Sequence, residues 1–192
     1  MTPETLYIKN MVCNRCIQVV REELNRLGIE VVDIQLGEVK LSQKVNLLQL
    51  DQIREVIMDR GFELLEDSNS KIIEQIKTSI IDLIHNPEVV SNQNVSHYLE
   101  KKIGKDYSYL SNLFSSVENI TIERYLILQK VEKVKELLVY DEMTLSEISY
   151  KLNYSSVQYL SGQFRKVTGM SPSEFKKLTT KERLPLDGVT TQ

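Results

Sequence analysis

From Ser70 onward, apolar residues recur at intervals of three and four as far as Leu178, broken only by short polar stretches. A pattern of that period leaves this part of the chain one regular option, a succession of amphipathic helices. Ser70 is placed to cap the first, which carries Ile72, Ile73, Ile76, Ile80, Ile81, Leu83 and Ile84 and is broken by Asn86-Pro87. Residues 96–103, with Gly104 behind them, form a short helix, and residues 107–117 another. Thr121 opens a long helix with Arg124 at its third position and a stripe of Ile122, Tyr125, Leu126, Leu128, Val131, Val134, Leu137 and Leu138. Residues 145–152, 156–167 and 172–178 complete the set, with Thr144 and Ser171 as caps. Short helix, turn, helix therefore occurs twice, at 96–117 and 145–167, with the long helix as spacer.

The segment before it reads differently. Leu6 and Ile8 alternate with Tyr7 and Lys9, as in a short strand. Ile17, Val20, Leu24 and Leu27 then recur at helical spacing until Gly28. Residues 31–36 and 39–41 are β-branched and alternating, with Gly37-Glu38 as the turn between them. Leu50, Ile53, Val56 and Ile57 form a second helical stripe stopped by Gly61, and residues 62–65 a last strand. This βαββαβ order predicts a ferredoxin-like α+β domain. The polar run Glu66-Asp67-Ser68-Asn69-Ser70 marks the boundary. The expected organisation is a domain at 1–67, an all-α domain at 68–178 with two helix-turn-helix units, and a flexible tail at 179–192.

Charge narrows the function. Residues 1–67 hold 8 Lys/Arg against 12 Asp/Glu, and residues 68–192 hold 16 against 15. The helical half can meet a polyanion if its charges segregate by face. No apolar run reaches the ~20 residues of a membrane helix, and the N-terminus lacks the pattern of a signal peptide. A cytoplasmic location is expected. A Gly-rich phosphate loop, a Ser/His/Asp set and an acid pair are all missing from the sequence, so no enzyme is expected. His85 and His97 read as cap or surface residues.

Two segments resemble known families. Leu145-Ser146-Glu147-Ile148-Ser149-Tyr150-Lys151-Leu152-Asn153-Tyr154, Tyr159-Leu160 and the run from Phe164 through Gly169-Met170-Ser171-Pro172 to Phe175 resemble the AraC/XylS-type DNA-binding domain of bacterial regulators. Leu110-Ser111-Asn112-Leu113-Phe114 and Ile120-Thr121 to Tyr125 match its first unit. The resemblance implies two recognition helices about one DNA turn apart. The groove-facing candidates it implies are Ser108, Ser111 and Asn112 in the first unit and Val157, Gln158, Ser161 and Gly162 in the second. Asn and Gln side chains pair bidentately with adenine. Lys105, Arg165, Lys166, Lys176 and Lys177 are candidate phosphate contacts. Asn153 stands where the family has Gly at the turn, a residue that accepts left-handed backbone.

Met11-Val12-Cys13-Asn14-Arg15-Cys16, with Gly61-Phe62, resembles the heavy-metal-associated, copper chaperone-like domain; Asn10 stands where that family has Gly. The spacing puts Cys13 on a loop and Cys16 at a helix N-terminus, where the macrodipole favours thiolate and Arg15 adds positive charge. Two convergent thiolates suit a soft ion such as Cu(I). Met11 reads as a core prop. A redox switch and an interaction domain without metal remain open alternatives, as does a metallochaperone with a helical appendage. The expected partners are double-stranded DNA, RNA polymerase by analogy with the family, and a second copy of the chain in a homodimer.

Overall fold

The computed structural model describes residues 4–85, 94–178, 183 and 185–191. The expected Asn86-Pro87 break lies outside them. The chain divides into two compact regions, Met1–Asp82 with Asn94–Leu113 and Leu83–Gln93 with Phe114–Gln192.

In the first region, β1 (Glu4–Lys9), α1 (Asn14–Arg26), β2 (Val31–Gln35), β3 (Glu38–Leu41), α2 (Leu47–Met58) and β4 (Glu63–Leu65) follow one another in the expected order. The four strands form one antiparallel sheet in the order β2-β3-β1-β4. Period-two alternation sends Leu6 and Ile8 of β1 into a core with Val20 and Leu24 of α1 and Ile53 and Ile57 of α2. On the edge strand β2 the ladder slips between Val31 and Asp33. Such a bulge blunts an edge that would otherwise invite another strand. Asn46 and Gln49 close a reciprocal capping box at the start of α2.

The next helix, α3 (Ser68–His85), starts ahead of the expected Ser70 cap. The run at 66–70 is helical from Ser68, and Asp67, not Ser70, caps it by accepting the Ser70 amide at 2.7 Å. Within the first region, residues 68–82 are no linker. Tyr7, on the opposite side of β1 from Leu6 and Ile8, lies under the Lys71 ammonium at 5.6 Å. Gly37 packs against Thr78 so closely that an added Cβ would stand 3.0 Å from its methyl. α3 thus covers the sheet face that α1 and α2 leave open. A cut at residue 68 would expose Glu74 and Thr78, both buried, so DNA tests call for the full chain.

The remaining helices are α4 (Val95–Ile103), α5 (Tyr107–Glu118), α6 (Ile122–Tyr140), α7 (Leu145–Lys151), α8 (Val157–Thr168) and α9 (Pro172–Lys177). In the second region α6 carries the expected stripe, but it also buries Gln129 and Glu132. Gln129 donates to the Tyr125 hydroxyl at 2.9 Å and to the Leu186 carbonyl at 2.8 Å. Leu186 begins a 3-10 turn, Leu186–Thr191, whose Val189 is 1% exposed. Arg183 pairs with Glu136 of α6 at 3.0 Å. Of the segment expected to be loose, Arg183 and the turn Leu186–Thr191 therefore lie against α6.

Tyr154, at the turn after α7, is the one buried side-chain hydroxyl without a hydrogen-bond partner among the described residues. Burial, with a smaller contribution from Tyr159, pushes its ionisation far above the ordinary phenol range. Its ring faces the Lys130 ammonium at 5.0 Å, a contact that phenylalanine would keep. Tyr154→Phe is expected to stabilise the protein by about 1 kcal/mol, since an unsatisfied buried polar group costs about that much. Urea denaturation of the two proteins measures it, and a destabilised variant would show that the hydroxyl is satisfied in solution.

Candidate nucleic-acid interface and thiol pair

α4–α5 and α7–α8 are two copies of one construction. Leu110 and Leu160, Phe114 and Phe164, Asn119 and Gly169, Thr121 and Ser171, and Tyr125 and Phe175 each stand 50 residues apart. The copies agree in detail. Phe114 meets Tyr125 at 5.5 Å between ring centroids, and Phe164 meets Phe175 at 5.6 Å. Asn119 and Gly169 both take left-handed backbone, φ 58° and 80°, behind their helices. At the inner turns Gly104 has φ 73° and Asn153 φ 52°, so Asn153 takes the left-handed turn that its residue type allows.

Side-chain caps fix where each helix starts. Thr121 accepts the Arg124 amide at 3.1 Å and Ser156 the Tyr159 amide at 3.1 Å. Thr144 with Glu147, and Ser171 with Glu174, form reciprocal capping boxes. The Thr144 hydroxyl and amide hold Glu147 below the ordinary carboxylate range, and the Ser171 amide and hydroxyl do the same for Glu174. A lowered carboxylate pKa gives stabilisation that is present at neutral pH and lost as pH falls through the lowered value.

On α5, Ser108 and Asn112 are exposed and Ser111 is half-buried; on α8, Gln158 and Gly162 are exposed and Val157 and Ser161 half-buried. Leu110, Phe114, Leu160 and Phe164 face inward at 0% exposure. Arg165, Lys166, Lys105 and Lys177 are exposed. Lys176 is paired with Asp141, which makes it a weaker phosphate contact than the others. Two residues escaped the sequence reading. Tyr109 and Tyr159, 45% and 54% exposed, occupy equivalent positions beside the candidates on each helix. Gln163 donates to the Tyr159 hydroxyl at 2.9 Å. The 50-residue register is the signal that singles them out.

Residues 99–178 match the family described as "Helix-turn-helix domain". This segment is a helix-turn-helix domain, similar to those of AraC-type regulators. The domain's curated relatives are transcriptional regulators, not enzymes. The Msm operon regulatory protein of Streptococcus mutans is 27% identical over 151 residues, 75% of this chain and 52% of that protein. An uncharacterized HTH-type transcriptional regulator of Bacillus subtilis, YdeC, is 23% identical over 154 residues, 73% of this chain and 50% of its own length. The chain thus spans about half the length of these relatives. Among solved structures, the C-terminal domain of AraT, a response regulator from Geobacillus stearothermophilus, superposes with a TM-score of 0.51 at 21% identity. That match covers 62% of this chain and 91% of the other. It shares the fold. Among the described residues no helix is long and apolar enough to cross a membrane.

The thiols lie in the first region. Cys13 is the N-cap of α1 and Cys16 sits in its first turn, with the two sulfurs 3.3 Å apart. Cys13 is exposed and Cys16 half-buried. Against the effect of partial burial, the Cys16 amide and thiol, together with the Arg15 amide and charge, hold Cys13 below the ordinary thiol range. Burial and the neighbouring Cys13 push Cys16 above it. Met11 is 0% exposed in the core, a prop rather than a ligand. His97 sits at the surface, 4.0 Å from Glu100, and His85 lies in the last turn of α3. No cluster of three or more His, Cys, Asp or Glu side chains able to hold a metal occurs among the described residues. Two thiols are fewer than the four ligands that a structural zinc site takes.

Proposed function

We propose that this chain is a sequence-specific, DNA-binding transcription regulator, acting in the cytoplasm, whose N-terminal domain responds to a soft metal ion such as Cu(I) or to thiol state through Cys13 and Cys16. The observation that carries the first half is the duplicated helix-turn-helix with its polar outer residues, within a segment that matches that family. DNA would be read by α5 and α8. Ser108, Ser111 and Asn112, and Val157, Gln158, Ser161 and Gly162, stand on the helices that enter the major groove in this motif. Arg165 and Lys166 supply charge to the phosphates. RNA polymerase and a second copy of the chain are the further partners of this reading.

The sensor half is supported by the convergence of two thiols at a helix N-terminus and by the βαββαβ element order, which a ferredoxin-like domain would share. Cys13 and Cys16 would hold the ion, which would bring the two thiolates together without a further protein ligand. In the thiol-state version the two sulfurs join as their S–H bonds break, and hydrogen peroxide takes the two electrons and both protons as its O–O bond breaks, leaving two waters.

A duplex selected by the full chain from a random pool tests the DNA reading. Affinity should fall with rising salt as phosphate contacts displace counterions. Gln158→Ala is expected to weaken binding to that duplex by about 1–3 kcal/mol and to bind scrambled duplex as the wild type does. Equal loss on both duplexes would make Gln158 a backbone contact, and no loss on either would remove it from the interface.

A further inference from the structure

The loop that carries the thiols is held from behind by a buried carboxylate of α3. Asn10 begins this loop in left-handed backbone, φ 72°. Its amide donates to Glu74 Oε1 at 3.1 Å, and its side-chain amide donates to the Gly61 carbonyl at 3.1 Å. Glu74 is 5% exposed. A carboxylate removed from water is costly unless it is hydrogen-bonded, and a charge-assisted bond from a backbone N–H is among the stronger ways to hold it. Three residues on, Cys13 caps α1, and Met11 between them is fixed in the core. The position of the thiol loop and the position of α3 are therefore tied through one hydrogen bond.

The other end of α3 is tied to the first helix-turn-helix. Asp82 pairs with Lys102 of α4 at 3.2 Å, and Glu100 of α4 accepts the Tyr107 amide that opens α5 at 2.9 Å. All these residues belong to the same compact region. We propose that Glu74 is a positioning residue that couples the Cys13–Cys16 loop to the first helix-turn-helix unit by accepting the Asn10 amide. The inference rests on the DNA-binding reading above for its second half; the clamp itself needs neither metal nor DNA. Coupling of this kind is a free energy shared between two sites and must work in both directions. DNA bound at α5 then shifts how much of the time the thiol loop is clamped, and the alkylation rate of the thiols reads that population.

The test compares Glu74→Gln, which keeps an acceptor oxygen, with Glu74→Met, which has similar volume and none. The readout is the rate of thiol alkylation by iodoacetamide in the full, metal-free chain, with and without the selected duplex. Without DNA, Glu74→Met should react about 3–10-fold faster than wild type, and Glu74→Gln within about twofold of it, since breaking one bond worth about 1 kcal/mol loosens the loop by that order. With DNA, the rate should change in wild type and Glu74→Gln and stay constant in Glu74→Met. Equal behaviour of the Gln and Met variants would overturn the acceptor role. An unaltered rate in Glu74→Met would overturn the clamp. A clamp that holds while DNA leaves the wild-type rate unchanged would overturn the coupling. Should Glu74→Met fail to fold, hydrogen exchange of the Asn10 amide in the wild type decides: rapid exchange overturns the bond and slow exchange supports it. A failure to bind Cu(I) would strike the sensor reading and leave every one of these outcomes unchanged.

Discussion

Phe164→Ala is expected to destabilise the protein by about 3–5 kcal/mol, the usual cost of emptying a buried aromatic site. Phe164 is 0% exposed and touches Phe175 edge-on at 5.6 Å. Its ring is what α8 and α9 share, so the cavity would lie under α8. The backbone cannot easily collapse into it. α8 is pinned at one end by the Ser156 cap and at the other by left-handed Gly169, and α9 by the Ser171–Glu174 box. Phe114→Ala removes the equivalent ring from the first copy, where its partner is Tyr125. The two losses should be of similar size, because the sites are built alike. Each should also weaken binding to the selected duplex by tenfold or more, since α5 or α8 would lose its fixed orientation. Urea denaturation followed by circular dichroism, with a DNA shift assay alongside, measures both. A loss under about 1 kcal/mol at either site would mean that the aromatic pair is not what orients its helix.

How far the sequence reveals this architecture depends on where the signal lies. Helices announce themselves by period and cap. Thr144, Thr121 and Ser171 were readable because a cap is a local device whose hydroxyl needs only the amide three residues on. The strands β1 to β4 were readable for the same reason, through alternation and glycine turns. The cap was placed at Ser70 instead of Asp67 because composition reports polarity and not the partner. Ser68 and Ser70 are polar, yet they sit in the first turn of a helix that packs on the sheet. Glu74 could not be found at all from sequence. A glutamate in a helix reads as solvated surface, and its burial and its bond to the Asn10 amide, 64 residues away, exist only in the fold. The bond from Gln129 to the Leu186 carbonyl likewise exists only in three dimensions. Within the interface, the seven groove-facing candidates are positions on helices, and helix position is legible. That Ser111 and Ser161 are only half exposed required the packing.

Cys13→Ser is expected to lower the affinity for Cu(I) by more than about 100-fold, because even changes that only support a metal ligand cost 10–100-fold. The substitution replaces a soft, ionisable sulfur by a hydroxyl that stays neutral, and such an oxygen is a poor partner for a soft ion. No third donor stands ready to compensate among the described residues, where no cluster of three ligating side chains occurs. Cys16→Ser should cost as much, since the two sulfurs, 3.3 Å apart, act as a pair. Neither change should disturb the fold. Cys13 is exposed, Cys16 is half-buried at the edge of the core, and serine is an accepted helix cap. The measurement is a competition titration of reduced full chain and both variants against a Cu(I) chelator of known affinity, with and without the selected duplex. Equal affinity of wild type and variants would end the metal-site proposal. A large loss in the variants that is the same with and without duplex would keep the site and deny it any hold on DNA binding, because linkage requires each ligand to shift the other's affinity by one common factor. A loss whose size changes with duplex would identify the thiol pair as the sensor.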